Sequence, residues 1–198
     1  MSKCQNSKLI TVILLTASIF VTGSALAAVN KTFTLSKKIE VSDKRILTLK
    51  FNGLVSDETD TGGYRNIEVL EGDKKHIQTI NISDVNSFGD DTTTCPDPGT
   101  GSDIIIEDMD FDGIKDFRII AMLPPGPNIP YICFFWDKKS GKFVHAEFLD
   151  DITSPEFDSK NKTVTSNNRE SANKYRKDVY KYSGGKLVLV KSVVKTYP

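Results

Sequence analysis

Short segments in which apolar and polar residues alternate, each ending at a tight turn, limit this chain to a β-rich fold. Alternation with a period of two is typical of strands that bury one face, and the segments are too short for amphipathic helices. The pattern begins with segments at 32–35 and 46–51. Four pairs of segments follow, and a turn or loop separates the two members of each pair: 66–70 and 76–82, 103–107 and 117–123, 131–137 and 142–146, and 176–182 and 186–195. This predicts an all-β single domain of successive antiparallel hairpins, arranged either as a barrel or as propeller-like sheets. Only residues 169–175 could form a short helix.

The first 27 residues do not follow this pattern. Two lysines precede an apolar run at 9–21, and a small-residue motif ends at Ala27. This order predicts a secretory signal peptide that is cleaved after Ala27, which leaves residues 28–198 as one exported β-rich domain. Cys4 precedes the apolar run and would be removed with the signal peptide.

The charge of the chain is balanced, with 26 basic and 26 acidic residues among 198. Removal of residues 1–27 takes away two lysines and no acids, so 24 basic residues face 26 acidic ones, a net charge of −2. A charge this small does not favour binding to nucleic acid or to an anionic membrane. The sequence also lacks a nucleophile elbow, a phosphate loop and a zinc-protease motif, so catalytic activity is not expected.

Two cysteines lie in the exported part, Cys95 and Cys133. In an exported protein they most simply form one disulfide, which would join the Asp- and Pro-rich segment 84–102 to the proline-rich segment 123–130. Two buried free thiols are the alternative. A metal-thiolate site is less favoured because no CxxC motif is present.

An acidic loop at 108–116 carries the strongest chemical signal. Aspartates at 108, 110 and 112, Gly113 and a fourth aspartate at 116 match positions 1, 3, 5, 6 and 9 of a calcium-binding loop. Hard Ca²⁺ prefers such oxygen ligands, and the carbonyl at position 7 supplies another. The predicted Ca²⁺ ligands are Asp108, Asp110, Asp112, Ile114 and Asp116.

The loop differs from a helix-loop-helix calcium sensor. Ile119 occupies position 12, where a sensor has a bidentate Glu, and the flanking residues have strand character. We therefore expect a structural loop between two strands, with a dissociation constant of about 10⁻⁴ to 10⁻³ M. A solvated acidic turn is the alternative.

The acidic loop belongs to a longer series of motifs. Tyr131, the hairpin at 135–143, the segment 166–172 and the closing hairpin at 180–187 follow it in order. Together they resemble exported bacterial proteins with a single-domain β-propeller-like fold and a calcium loop, a family related to periplasmic inhibitors of lysozyme. Some of its members are immunity proteins against peptidoglycan hydrolases delivered by secretion systems. The resemblance extends from about Ile67 to the C-terminus.

The resemblance implies a periplasmic inhibitor, or an immunity protein, that inserts a rigid loop into the cleft of a lysozyme-like hydrolase. The candidate partner-binding residues are Pro127, Asn128 and Tyr131 on the proline segment, with Ser166, Arg169, Ser171 and Tyr175 as a second patch. The same residues could instead form a stiff connector and an ordinary turn. No tyrosine follows Ser140-Gly141, so the inhibitory loop of known lysozyme inhibitors has no counterpart there. A calcium-stabilised carbohydrate-binding or adhesion module is the alternative function.

Overall fold

The computed structural model describes residues 30–42, 45–56, 62–98 and 100–198. The predicted signal peptide, its cleavage site after Ala27 and Cys4 lie outside the described residues. Within the described part of the chain, no helix is long and apolar enough to cross a membrane.

Strands dominate the described residues, with two short 3-10 helices between them. The first four strands are β1 (Asn30–Ser42), β2 (Arg45–Ser56), β3 (Gly62–Glu71) and β4 (Lys75–Asn81), followed by a 3-10 helix at Ile82–Asp84. The next four are β5 (Ile105–Glu107), β6 (Asp116–Ile120), β7 (Tyr131–Asp137) and β8 (Lys142–His145), followed by a 3-10 helix at Glu147–Leu149. The last four are β9 (Pro155–Asp158), β10 (Thr163–Arg169), β11 (Lys174–Ser183) and β12 (Lys186–Thr196).

These strands form three separate antiparallel sheets of four strands each. The strand orders are β1-β2-β3-β4, β5-β6-β7-β8 and β12-β11-β10-β9, so neighbours in each sheet are also neighbours in the chain. Each sheet is therefore a simple meander, the arrangement found in one propeller blade. The all-β prediction is confirmed. The barrel alternative is wrong, because the described strands do not close into one sheet.

The short helix considered for residues 169–175 is also wrong. Arg169 ends β10 and Lys174 begins β11, and Arg169 pairs with Tyr175 across the two strands. The Glu170 N–H donates to the Lys174 carbonyl (2.8 Å) and closes the bend between the strands. Ladder pairing with the rest of the sheet overrides the weak local helical preference.

The first two sheets share one hydrophobic core, which is centred on aromatic rings. Phe117 of β6 is fully buried, and its ring stacks on Phe134 of β7 with 4.7 Å between ring centroids. Phe143 and Phe51 approach the same ring edge-on at 4.9 and 6.0 Å. Phe51 lies on β2, so Phe117 links the two sheets.

A second core cluster lies between the second and third sheets. Its buried members are Met109, Cys133, Ala146, Leu149, Ile152 and Val164. The outermost strand of the third sheet, β12, contributes little to this cluster. Most of β12 is exposed, and Leu187 is the one half-buried residue of that strand. The third sheet therefore packs on the protein through β9, β10 and the tyrosines Tyr180 and Tyr182 of β11, and most of β12 projects outward.

Candidate functional site

The acidic loop joins β5 to β6 at one end of the second sheet. Glu107 pairs with Asp116 across this hairpin, which leaves residues 108–115 outside the ladder. Gly113 has a φ of 87°, a conformation that glycine adopts without steric cost. Phe111 has a φ of 65°, and its ring packs edge-on against Tyr182 of β11 at 5.8 Å. These two left-handed positions fold the loop back on itself.

Three of the predicted ligands converge in the folded loop. Asp108, Asp110 and Asp116 each offer one carboxylate oxygen, and these oxygens lie within 4.8 Å of one another. The Asp112 N–H donates to both Asp108 and Asp110 (3.1 Å each), and the Gly113 N–H donates to Asp108 (3.0 Å). The converging oxygens and their fixed orientation fit one hard divalent cation such as Ca²⁺.

Asp116 is the buried member of this cluster. It is 1% exposed, and its carboxylate accepts hydrogen bonds from the Met109 N–H and the Trp136 N–H, both at 2.9 Å. Burial is the main cause that raises the pKa of Asp116 from 3.8 to about 7, and the hydrogen bonds from the two N–H groups partly oppose it. A cation beside this carboxylate would stabilise its charged form.

Burial also raises the pKa of Asp110, and the neighbouring carboxylates Asp112 and Asp108 raise it further. The crowded negative charges of the loop therefore disfavour ionisation of Asp110 when no cation is near.

The other two predicted ligands are the Asp112 carboxylate and the Ile114 carbonyl. Asp112 accepts a hydrogen bond from the Ile114 N–H (2.8 Å) and forms an ion pair with Lys138 (2.8 Å). It does not belong to the converging group of three. The side chain of Ile114 packs against the first core. Lys138, in the turn after β7, is a partner that sequence reasoning missed, because it lies far from the loop in the chain.

In the absence of divalent cations, we expect Asp116 to make the folded protein less stable as the pH rises from about 4 to about 7. The pKa of this carboxyl is about 7 in the folded protein and about 3.9 in an unfolded chain. Between these values the folded state holds a proton that the unfolded state has released, so raising the pH favours unfolding. Urea unfolding in chelator at several pH values measures the effect.

The matched control is Asp116→Asn, whose side chain does not titrate. The wild-type free energy of unfolding minus that of the variant should decrease across this pH range. In saturating Ca²⁺ this difference should change less with pH, because a bound cation favours the carboxylate form of Asp116. A difference that stays constant or grows with pH would contradict the assignment.

The proline-rich segment forms a braced ridge, which we call the proline ridge (residues 123–130). It connects β6 to β7. The Asn128 side chain accepts a hydrogen bond from the Arg169 N–H (2.8 Å) and donates one to the Arg169 carbonyl (3.0 Å). The Ser154 hydroxyl donates to the Pro127 carbonyl (2.6 Å) and accepts from the Ile129 N–H (3.0 Å). The ridge is thus attached to the third sheet and to the segment before β9.

This attachment joins the two predicted contact patches. The Arg169 guanidinium donates to the carbonyls of Ser171 (3.1 Å) and Ala172 (3.2 Å) and lies 5.8 Å from the centre of the Tyr175 ring. The residues that form one continuous surface are Pro127, Asn128, Arg169, Ser171 and Tyr175.

Two predicted contact residues face inward instead. Tyr131 is half-buried, and the Arg118 guanidinium lies 4.4 Å from its ring centre. Ser166 is 1% exposed and donates to the Thr153 carbonyl (2.9 Å). These residues support the surface from below. Sequence reasoning missed Ser154, which has no local motif and acts only through contacts with a distant segment.

The predicted disulfide between Cys95 and Cys133 is wrong, because both residues are free, buried thiols. They belong to different core clusters. The Cys95 thiol donates to the Tyr64 hydroxyl (3.2 Å), which in turn donates to Asp103 (3.1 Å). Burial raises the pKa of Cys95 to about 11 and that of Cys133 to about 12, which disfavours the reactive thiolate.

Comparison with known proteins finds a similar fold but no matching sequence family. No family model matches the sequence. No curated protein matches it either. A solved structure described as that of a Xanthomonas Type IV Secretion System related protein is similar, with a TM-score of 0.55 and 15% sequence identity over 82% of each chain. At this identity the similarity indicates a shared fold.

Proposed function

We propose that this chain is a periplasmic, non-catalytic inhibitor of a lysozyme-like peptidoglycan hydrolase, which acts in the manner of an immunity protein. The observation that carries the proposal is the pair of hydrogen bonds between the Asn128 side chain and the Arg169 backbone. They hold an exposed, proline-rich ridge in one position. Such a ridge is a shape that can fill a substrate cleft.

Rigidity is the physical advantage of the ridge. Its prolines restrict φ, and the Ser154 hydroxyl fixes the backbone on both sides of Asn128. A loop that is ordered before binding loses little conformational entropy on docking, so more of its contact energy appears as affinity.

The chemistry of the surface also suits a hydrolase cleft. Leu123 is 50% exposed, and Pro125 and Pro127 are exposed beside it, which provides apolar contact area. Arg169 adds a cation. Glycoside hydrolases commonly use a pair of carboxylates, and a guanidinium is well shaped to bind a carboxylate. In the proposed complex the ridge fills the cleft and Arg169 faces a catalytic carboxylate.

Ca²⁺ held by Asp108, Asp110 and Asp116 is part of this proposal. Asp116 begins β6, and its hydrogen bond from the Trp136 N–H ties that strand to the far end of β7. Because the proline ridge joins β6 to β7, a cation that orders Asp116 would help to fix the strands on both sides of the ridge. The metal would therefore act on stability and loop position.

The fold neighbour gives limited support for an exported role. Its description relates that protein to a type IV secretion system. This association agrees with export, which the N-terminal sequence independently predicts. The hydrolase target rests on the resemblance described above and on the ridge.

The proposal is tested by peptidoglycan lysis, followed as turbidity, with a panel of lysozyme-like hydrolases. We expect the mature protein to suppress lysis by at least one of them at a near-equimolar ratio. Binding to peptidoglycan without protection would favour the carbohydrate-binding alternative, and lysis by the protein alone would reveal an enzyme. If no panel member is inhibited, the proposal fails.

Asn128→Ala is expected to weaken inhibition about tenfold, because two hydrogen bonds that order the ridge are lost. The inhibition constant measured with the sensitive hydrolase reports this change. Asn81→Ala is the matched control: Asn81 is exposed at the end of β4 in the first sheet, and its side chain donates a hydrogen bond to Asp84. Equal inhibition by both variants would show that the braced ridge is not the contact.

A further inference from the structure

The hairpin of β11 and β12 is the least buried part of the third sheet. Val190, Val193 and Val194 are 52%, 36% and 49% exposed, which is unusual for valines in a strand. Among the described residues β12 pairs only with β11, so its outer edge carries backbone groups with no strand partner. Exposed sheet edges of this kind can accept an additional strand.

The hairpin region is strongly basic although the whole chain is neutral. Residues 169–198 contain eight basic and two acidic residues. Both acids are already paired: Glu170 lies 2.7 Å from Lys174 and 3.2 Å from Arg176, and Asp178 lies 3.0 Å from Arg176. No ion pair with a described residue engages Lys177, Lys191 or Lys195. The region therefore presents uncompensated positive charge.

These lysines share one face of the hairpin with apolar and aromatic residues. Together they line a groove of about 450 Å³. Its lining includes Tyr175, Lys177 and Val179 from β11 and Lys191, Val193 and Lys195 from β12. Asp178 and Ser192 pair in the ladder between them and point to the other side of the sheet. The groove lining contains no carboxylate.

We propose that the outer edge of β12 is a docking site for an extended, acidic segment of a partner polypeptide. The segment adds to the sheet as a further antiparallel strand. Its side chains on the groove face then lie opposite Lys191, Val193 and Lys195, which are spaced two residues apart. The matching segment has two acidic residues four positions apart and an apolar residue midway between them.

The same charges argue against a second copy of this chain as the occupant. If two β12 strands paired antiparallel about Val193, Lys191 of each copy would face Lys195 of the other. Like charges directly opposite in a ladder are destabilising. An acidic partner converts both repulsive contacts into attractive ones, and the bare lysines keep the free edge from self-association.

The test uses a fluorescent synthetic peptide of about nine residues with the pattern Glu-Thr-Val-Thr-Glu at its centre, a typical strand length. Fluorescence anisotropy should show saturable binding to the mature protein. The peptide with lysines in place of glutamates should bind at least about tenfold more weakly. The acidic peptide N-methylated at the alternate residues whose N–H groups face β12 keeps its charge but cannot form the ladder, and its binding should also be lost.

The double substitution Lys191→Glu/Lys195→Glu should weaken binding of the acidic peptide by about tenfold or more. Lys74→Glu/Lys139→Glu is the matched control, since it makes the same change of net charge at exposed turns elsewhere. Thermal unfolding curves confirm that both variants are folded. Hydrolase inhibition, measured in parallel, should be unchanged in the single variant Lys191→Glu, because Lys191 pairs with Val179, four residues along β11 from Tyr175 of the proposed hydrolase contact. This proposal and the proposed function therefore fail separately.

Several results would overturn the docking site. Undiminished binding of the N-methylated peptide would exclude strand addition. Equal loss of binding in the control variant would show a general charge effect. A dimer in sedimentation analysis that competes with the peptide would identify a second copy as the occupant. Heparin or duplex DNA that binds while the acidic peptide does not would assign the surface to polyanions.

Discussion

Replacing Phe117 by alanine is expected to lower the free energy of unfolding by about 3–5 kcal/mol and the melting temperature by about 6–20 °C. Its ring is fully buried and contacts Phe134, Phe143 and Phe51, which come from both sheets of the first core. Truncation removes this apolar surface and leaves a cavity that the surrounding rings cannot fill completely. Urea unfolding followed by circular dichroism measures the change.

Phe88→Ala is the matched control for this substitution. Phe88 is 43% exposed, so its truncation should change the stability by about 0.5 kcal/mol or less. Phe117→Leu retains much of the buried volume, so its loss of stability should lie between those of Phe117→Ala and Phe88→Ala. Similar losses in Phe117→Ala and Phe88→Ala would mean that the first and second sheets do not meet at Phe117.

Adding Ca²⁺ to about 10 mM after chelator treatment is expected to raise the free energy of unfolding by about 1–3 kcal/mol and the melting temperature by about 3–10 °C. These values follow from a dissociation constant of about 10⁻⁴ to 10⁻³ M and from binding to the folded state alone. The converging oxygens of Asp108, Asp110 and Asp116 form a site only when the loop is folded. Differential scanning calorimetry with and without Ca²⁺ measures the shift.

Asp110→Asn should abolish this response. In chelator the same variant should be as stable as the wild type or slightly more stable, because Asp108 and Asp112 repel a charge at Asp110. Asp91→Asn is the control: Asp91 is exposed, and its contact with Arg65 is long at 3.7 Å. A wild-type protein that melts at the same temperature in chelator and in Ca²⁺ would refute the metal site.

The hairpins could be predicted because their information is local. One turn, with Gly72 and Asp73, joins β3 to β4, and the Gly184-Gly185 turn joins β11 to β12. The side chains of these strands alternate between two faces. Neighbouring strands in each sheet also follow one another in the chain, so short-range pairing accounts for most of the topology. The division into three sheets depends on packing between sheets, which alternation alone does not specify.

The acidic loop could be predicted only in part. Its aspartates and Gly113 lie close together in the chain, and Asp108 and Asp110 converge through a local contact, because both accept a hydrogen bond from the Asp112 N–H. The pairing of Asp112 with Lys138 brings together two different turns of the second sheet. Nothing in the spacing of the aspartates indicates that one of them faces a lysine.

The cysteine prediction failed for a related reason. Two cysteines in an exported chain suggest a disulfide, but a bond also requires their β-carbons to lie about 4 Å apart. Cys95 packs with Tyr64 in the first core, and Cys133 packs in the second core beside Met109 and Val164. The sequence contains no information on which core receives each strand face.

The chain by itself determined the all-β class, the hairpin turns and an aspartate-rich loop, because alternation and turn chemistry act between residues that are close in the chain. Tertiary structure decided which carboxylates meet, why Cys95 and Cys133 stay apart, how Asn128 reaches Arg169 and where the lysines of β12 collect. Each of these depends on contacts between distant segments. Such contacts are set by how three sheets bury their apolar faces against one another, and a near-neutral total charge conceals the basic surface that results.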